Sequence, residues 1–152
     1  EAQTVDWMAG ASLMVRHSTF EEVGGFDERF FLYFEETDLC LRAQRAGWQS
    51  VYLPQSRVMH IGSVSTGMKT WKRMPPFWFD SRLWYFTKNH GVVYAAGATL
   101  ALLAGELISR FRRLFSKRRL GEPQPIMGDL VSHALRSAWH RRLVGRSSTP
   151  SA

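Results

Sequence analysis

Phe30-Phe31-Leu32-Tyr33-Phe34-Glu35-Glu36-Thr37-Asp38-Leu39-Cys40-Leu41-Arg42 is the stretch on which the reading turns. An aromatic run leads directly into three carboxylates within four residues. The pattern then becomes helical, predicting a helix from about Thr37 to Ala46 that Gly47 stops. Leu39, Cys40, Ala43 and Ala46 share its apolar face, and Asp38 and Arg42, four apart, are spaced to pair. Adjacent acids repel, and holding them against apolar neighbours costs free energy that a helix N-terminus partly offsets. A carboxylate held this way stays ionised and accepts a proton from a hydroxyl. The spacing alone equally allows a plain role, in which the acids cap the helix and pair with Arg42.

Upstream, Val5 to Val15 alternates in the manner of a strand. Ser18 is placed to cap a short helix over Thr19 to Val23, with Glu21 and Glu22 in its first turn and Gly24-Gly25 as its stop. Downstream, short strands are predicted at Trp48 to Leu53 and Arg57 to Ile61, then a polar loop to Met74 and a break at Pro75-Pro76. A helix follows from about Asp80 to Asn89, ended by Gly91. Val92 to Ile108 is apolar, Arg110 to Arg119 basic, and Ile126 to Arg142 a last helix with Leu130, Ala134, Leu135 and Ala138 on one face. The tail from residue 146 reads as disordered.

Composition narrows the classes. The 152 residues are 45% hydrophobic and 13% aromatic, enough for one packed domain rather than a disordered chain. Cys40 is alone, so neither an internal disulfide nor a cysteine zinc site is available. The net charge is +7, but nine of the thirteen acids lie at or before Asp38 and ten of the twenty Lys and Arg lie between Arg110 and Arg146. An acidic front and a basic rear do not make a uniform nucleic-acid groove, and no nucleic-acid partner is expected. They suit an acid-using site joined to a segment that meets an anionic surface.

Asp6-Trp7-Met8-Ala9-Gly10-Ala11, Gly24-Gly25-Phe26-Asp27-Glu28, Phe30-Phe31, Tyr33, Glu35-Glu36-Thr37-Asp38-Leu39-Cys40 and Arg42 together resemble the acceptor half of family 2 glycosyltransferases, closest to the bacterial rhamnosyltransferase-like branch. The resemblance covers about the first 65 residues. It implies an α/β fold, the C-terminal portion of a GT-A nucleotide-diphospho-sugar transferase followed by C-terminal helices. It also implies inverting transfer from a nucleotide-diphospho-sugar to a hydroxyl of a glycan or lipid-linked acceptor. The family motif usually reads Glu-Asp-x-Asp-Leu with the Asp after the first Glu as general base; here that position is Glu36, one methylene longer. Glu35 and Asp38 are then catalytic neighbours that set position and charge, with Arg42 orienting Asp38 and counted among the substrate-binding residues. Trp7, Gly10 and Ala11 match the segment lining the substrate cleft. Trp7 either stacks on a sugar or is a core residue.

His60 resembles the family's late metal ligand for a divalent ion, Mg²⁺ or Mn²⁺. Gly62, Ser63 and Ser65 follow it as phosphate-binding candidates, and Lys69, Lys72 and Arg73 as a lid. The Asp-x-Asp ligands are expected upstream, so the piece alone is not expected to turn over. The division expected is 1–74 as the acceptor-side half, 75–145 as a helical extension and 146–152 as tail. Val92 to Ile108 fits a helix lying on a membrane, a core helix or a marginal span. The expected location is cytoplasmic, peripheral at the inner membrane face. A membrane-associated binding module that keeps the fold without activity is the competing function.

Overall fold

The computed structural model describes residues 1–61, 67, 71–115 and 126–147, with side chains to 113 and from 126 to 136. Five helices and one small antiparallel sheet are formed among them: β1 (Gln3–Val5), α1 (His17–Glu22), α2 (Glu35–Arg45), β2 (Ser50–Tyr52), α3 (Pro76–His90), α4 (Val92–Phe115) and α5 (Ile126–Ser147). β1 and β2 pair with Gln3 opposite Tyr52 and Val5 opposite Ser50.

The strand expected over Val5 to Val15 stops at Val5. Beyond it no partner strand is offered, and unpaired backbone groups do not sustain a strand. Residues 6–16 instead turn, with Ser12 N–H on the Ala9 carbonyl at 3.4 Å. The strand expected at Arg57 to Ile61 is irregular for the same reason. Helix starts also shift. α1 opens at His17 with Arg16 as its N-cap and no side-chain cap, so Ser18 lies inside the helix and the two glutamates close it. α2 begins two residues early and gathers Glu35, Glu36 and Asp38 into its first turn. α3 begins at Pro76, because a proline at the first helical position loses no hydrogen bond. α5 continues to Ser147, past the expected start of the tail.

Gly24 and Gly25 turn the chain out of α1 at φ +78° and +69°. The Gly25 N–H reaches back to the Phe20 carbonyl at 2.8 Å. A Cβ on Gly24 would meet nothing, whereas one on Gly25 would sit 3.3 Å from the Phe20 ring. Gly25→Ala is therefore expected to cost more than Gly24→Ala. Each carries about 1–2 kcal/mol of left-handed strain, and only the first adds a ring displacement. Thermal unfolding of the two variants checks the order.

α3 is the strut of the molecule. Its Phe79, Ser81 and Arg82 are buried, and α2, α4 and α5 all pack on it. The Ser81 hydroxyl donates to the Leu32 carbonyl at 3.0 Å, and Arg45 holds its far end through the Asn89 carbonyl at 2.9 Å. α5 is fixed by Asp129 and His133. Asp129 accepts from Arg73 Nε at 2.6 Å and from the Met74 N–H at 2.9 Å, and His133 meets Asp80 at 2.8 Å. The packing face of α5 thus runs through these polar residues. Ala134 and Leu135, expected to face inward, are exposed. Arg73 is held by Asp129 rather than poised as a lid. Lys69, Gly62, Ser63, Ser65 and the basic residues 117–119 lie outside the described residues.

Candidate functional site

The site is built on the loop that enters α2. Tyr33 and Phe34 both adopt positive φ, +69° and +70°. Aromatic side chains in this left-handed region cost on the order of 1–3 kcal/mol each and persist only when the surroundings enforce them. The enforcement is visible. Tyr33 lies parallel to Phe77 at 6.4 Å and edge-on to Trp71 at 6.0 Å. Phe34 packs between Trp78 at 5.9 Å and Tyr85 at 5.6 Å. Phe31, exposed to solvent, meets Phe77 at 5.4 Å. The strained pair presses the chain onto α3 and sets the next two residues, Glu35 and Glu36, side by side at a helix start.

Each of those glutamates has one carboxylate oxygen, Oε2, that is buried and lacks a hydrogen-bond partner among the described residues. A buried acceptor without a donor is costly and calls for a reason. Burial, reinforced by the charge of Glu36 and partly offset by a backbone hydrogen bond, pushes the Glu35 carboxyl above its ordinary value. Gly10 lies against Glu36: a Cβ on Gly10 would fall 3.8 Å from Glu36 Cβ and 3.9 Å from its Cγ and Cδ. The missing side chain leaves room beside the longer acid. Gly10 and Ala11 are exposed in the turn, and Trp7 is 52% exposed, which removes the core reading of that residue.

Asp38 sits differently. It is 0% exposed, and both its oxygens are engaged. Arg42 Nε at 2.7 Å and Lys88 Nζ at 2.9 Å donate to Oδ2, and Asn89 Nδ2 at 2.8 Å donates to Oδ1. Burial raises the Asp38 carboxyl, but the hydrogen bonds from Asn89, Lys88 and Arg42 outweigh it and hold the group below its usual range. The remaining nitrogens of Arg42 donate to the Val23 carbonyl and, at 2.7 Å, to the Gly25 carbonyl, closing the end of α1. Asp38 and Arg42 therefore join α1, α2 and α3.

Sequence reasoning missed the rest of this joint. Lys88 bridges Asp38 to Asp27 at 2.8 Å, and Trp84 Nε1 donates to Asp27 at 3.0 Å. Asp27 is pulled down to about 2: burial pushes it up, and the bonds from Lys88, the Arg29 N–H and Trp84 prevail. Lys88 and Asn89 look in the sequence like ordinary residues at a helix end, and only the fold brings them to Asp38.

His60 is exposed in the irregular segment after β2. Among the described residues no group of three or more His, Cys, Asp or Glu is gathered as a metal ion requires. One imidazole does not make a divalent-metal site, so the donors among the described residues do not fit the ion by themselves. A separate cleft of about 700 Å³ opens between residues 8–16, α2 and β2, lined among others by Met8, Leu13, Leu39, Cys40 and Trp48. Glu35, Glu36 and His60 are not part of it.

The sequence model of the glycosyl transferase family group 2 matches residues 3–79, half of the chain, and the chain belongs to that family. Within it, the similarity is to rhamnosyltransferases. The chain is 52% identical over 63 residues to the N-acetylglucosaminyl-diphospho-decaprenol L-rhamnosyltransferase of Mycobacterium tuberculosis, covering 41% of this chain and 20% of that protein. It is 46% identical over 56 residues to the rhamnosyltransferase WbbL of Escherichia coli, 37% of this chain and 21% of that one. An O-antigen biosynthesis protein of Myxococcus xanthus, RfbC, is 36% identical over 64 residues, 41% of this chain and 5% of that protein. The chain thus spans about a fifth of the length of the first two relatives. No solved structure matches it significantly.

Proposed function

We propose that this chain is the acceptor-side portion of an inverting glycosyltransferase of GT-A type, in which Glu36 is the general base. The observation that carries the proposal is the buried, unpartnered Glu36 oxygen at the start of α2, beside Gly10 and next to the strained aromatic loop. Glu36 takes the proton of an acceptor hydroxyl as that oxygen forms its bond to the anomeric carbon. The bond from that carbon to phosphate breaks, and a nucleoside diphosphate leaves. Attack from the face opposite the leaving group inverts the configuration. Glu35, whose carboxyl burial and the charge of Glu36 raise above its ordinary value, sits beside the base as its neighbour. Asp38 and Arg42 position Glu36 by fixing α2, and Trp7 offers an exposed ring to a sugar face.

The names of the relatives support a deoxyhexose such as rhamnose as the transferred sugar, and a glycan or a lipid-linked glycan as acceptor. A divalent ion, Mg²⁺ or Mn²⁺, belongs to the complete protein in this proposal, with His60 as a donor from the described residues. The location that fits such an acceptor is the inner face of the cell membrane.

The test follows nucleoside diphosphate release by the complete gene product from a panel of nucleotide-sugars, with and without a lipid-linked acceptor extract. Acceptor-dependent release from a deoxyhexose donor is the expected result. Gly10→Val is expected to lower that release at least tenfold while leaving the unfolding temperature nearly unchanged, since its side chain would occupy the space beside Glu36. No donor binding and no release would transfer the assignment to a membrane-associated binding module.

A further inference from the structure

α4 leaves an apolar side uncovered. The residues it turns inward mix Ala95, Ala98, Leu102 and Leu103 with Thr99, Glu106, Ser109 and Arg113, while its outward side carries Val92, Val93, Leu100, Leu107, Ile108 and Phe111. A helix on a water-soluble surface keeps its large apolar residues inward. Val93 is 88% exposed and Leu100 66% exposed. The most apolar 18-residue window of Val92–Arg113 has a mean hydropathy of 1.7, and only 6% of it is buried. Arg82 of α3 is buried against the inward side, donating to the Ala98 carbonyl at 2.6 Å and to the Thr99 hydroxyl at 3.2 Å, so part of that side is polar. Arg112 follows the apolar run on the exposed side, and Arg110, half-exposed, pairs with Glu106 at 2.9 Å beside it.

We infer that the outward side of α4 lies in the plane of a lipid bilayer surface, with its apolar residues below the headgroups and Arg110 and Arg112 on anionic phosphates. Length alone also permits a span, because 24 residues reach about 36 Å against a hydrocarbon thickness of about 30 Å. The neighbours decide against it. α3 packs along α4, and on its other flank Lys88 and Asn89 hold Asp38 and Asp27. A spanning α4 would pull α3 and this charged joint into hydrocarbon, at several kcal/mol per ion. An in-plane helix leaves the joint in water and in protein. The single-residue connection at Gly91 keeps α3 and α4 together, so the loop that α3 clamps, with Glu35 and Glu36, is held at the bilayer. This deepens the lipid-linked acceptor in the proposed function, but its observations do not depend on that proposal.

Flotation of the complete gene product with vesicles tests it without donor or acceptor. Vesicles of phosphatidylcholine with about 30% phosphatidylglycerol, a fraction chosen to mimic an anionic leaflet, are compared with phosphatidylcholine alone. Wild type is expected to float with the anionic vesicles, and Leu100→Asp with Leu107→Asp to lose at least tenfold in partition. Arg110→Gln and Arg112→Gln are expected to lose roughly fivefold each on the anionic vesicles only. Both leucines are exposed, so the fold is retained, which circular dichroism verifies. An environment-sensitive fluorophore at Val93→Cys, Leu100→Cys and Leu107→Cys is expected to report similar shallow depths, with Cys40 buried and unlabelled. No flotation of wild type overturns the inference. So does flotation unchanged by the aspartates, a deep centre with shallow ends, or a dimer that the aspartates dissociate. Lost flotation with intact acceptor-dependent release would sink the membrane seat alone; the reverse would sink the transferase assignment alone.

Discussion

Glu36→Gln is expected to lower acceptor-dependent sugar transfer by roughly 10²–10⁴-fold, the usual contribution of a general base, without loss of stability. The amide keeps the shape of the side chain and removes the group that takes the proton. Stability is expected to hold or rise, because the substitution removes a carboxylate whose Oε2 is buried with no donor. It also relieves the neighbour that helps raise the Glu35 carboxyl. This combination separates Glu36 from a residue that merely supports the fold, whose replacement lowers stability first. Glu35→Gln is the control. A raised carboxyl pKa in the folded state means that ionising Glu35 weakens the fold as pH rises above the ordinary value near 4.5. Glu35→Gln is therefore expected to flatten that part of the stability profile and to retain most of the turnover. Should Glu35→Gln abolish transfer while Glu36→Gln preserves it, the base is Glu35. Steady-state rates and urea unfolding of the two variants decide.

The carboxylate pair was legible because adjacent acids after an aromatic run are a local signal, and so was α2, whose apolar positions recur at helical spacing. The Asp38–Arg42 pair follows from the same periodicity. What the sequence concealed depends on distant partners. Alternation over Val5 to Val15 looks like a strand, but a strand forms only where another is paired to it, and β2 offers three residues. Lys88, Asn89 and Asp27 become parts of one site only when α3 lies across α2. The left-handed conformations of Tyr33 and Phe34 had no glycine or asparagine to announce them; packing against Trp71, Phe77, Trp78 and Tyr85 imposes them. The uncovered apolar side of α4 was equally hidden. Its apolar residues were plain in the sequence, but only the position of α3 shows which of them are turned outward.

The joint around Asp38 carries the second large effect. Asp38→Asn is expected to destabilise the protein by about 3–5 kcal/mol, the cost of breaking a buried ion pair by removing one partner. The amide leaves Arg42 and Lys88, each mostly buried, without the charge they share. It also loosens Arg42 from the end of α1, where it closes the Val23 and Gly25 carbonyls. Against a typical total of about 5–15 kcal/mol, such a loss is a large share of the stability. The pH dependence fixes the mechanism. Asp27 is held at about 2 and Asp38 is held down as well, both against an ordinary value of 3.8. Carboxyls lowered in the folded state contribute stability that is fully present above that ordinary value, and it is lost as pH falls from about 4 toward about 2. Wild type is thus expected to lose stability steeply in that window, and Asp38→Asn, already without one of the two groups, to lose less. Lys88→Met separates the parts: it removes the shared cation but leaves Arg42 and Asn89 on Asp38. Its cost is expected to lie below that of Asp38→Asn, and it should narrow the acid window by freeing Asp27. A Lys88→Met loss equal to or above the Asp38→Asn loss would place the centre of the joint on the lysine, with Asp38 as one of its two counter-charges. Parallel acid-unfolding curves for wild type and Asp38→Asn would remove the joint as the source of the acid sensitivity.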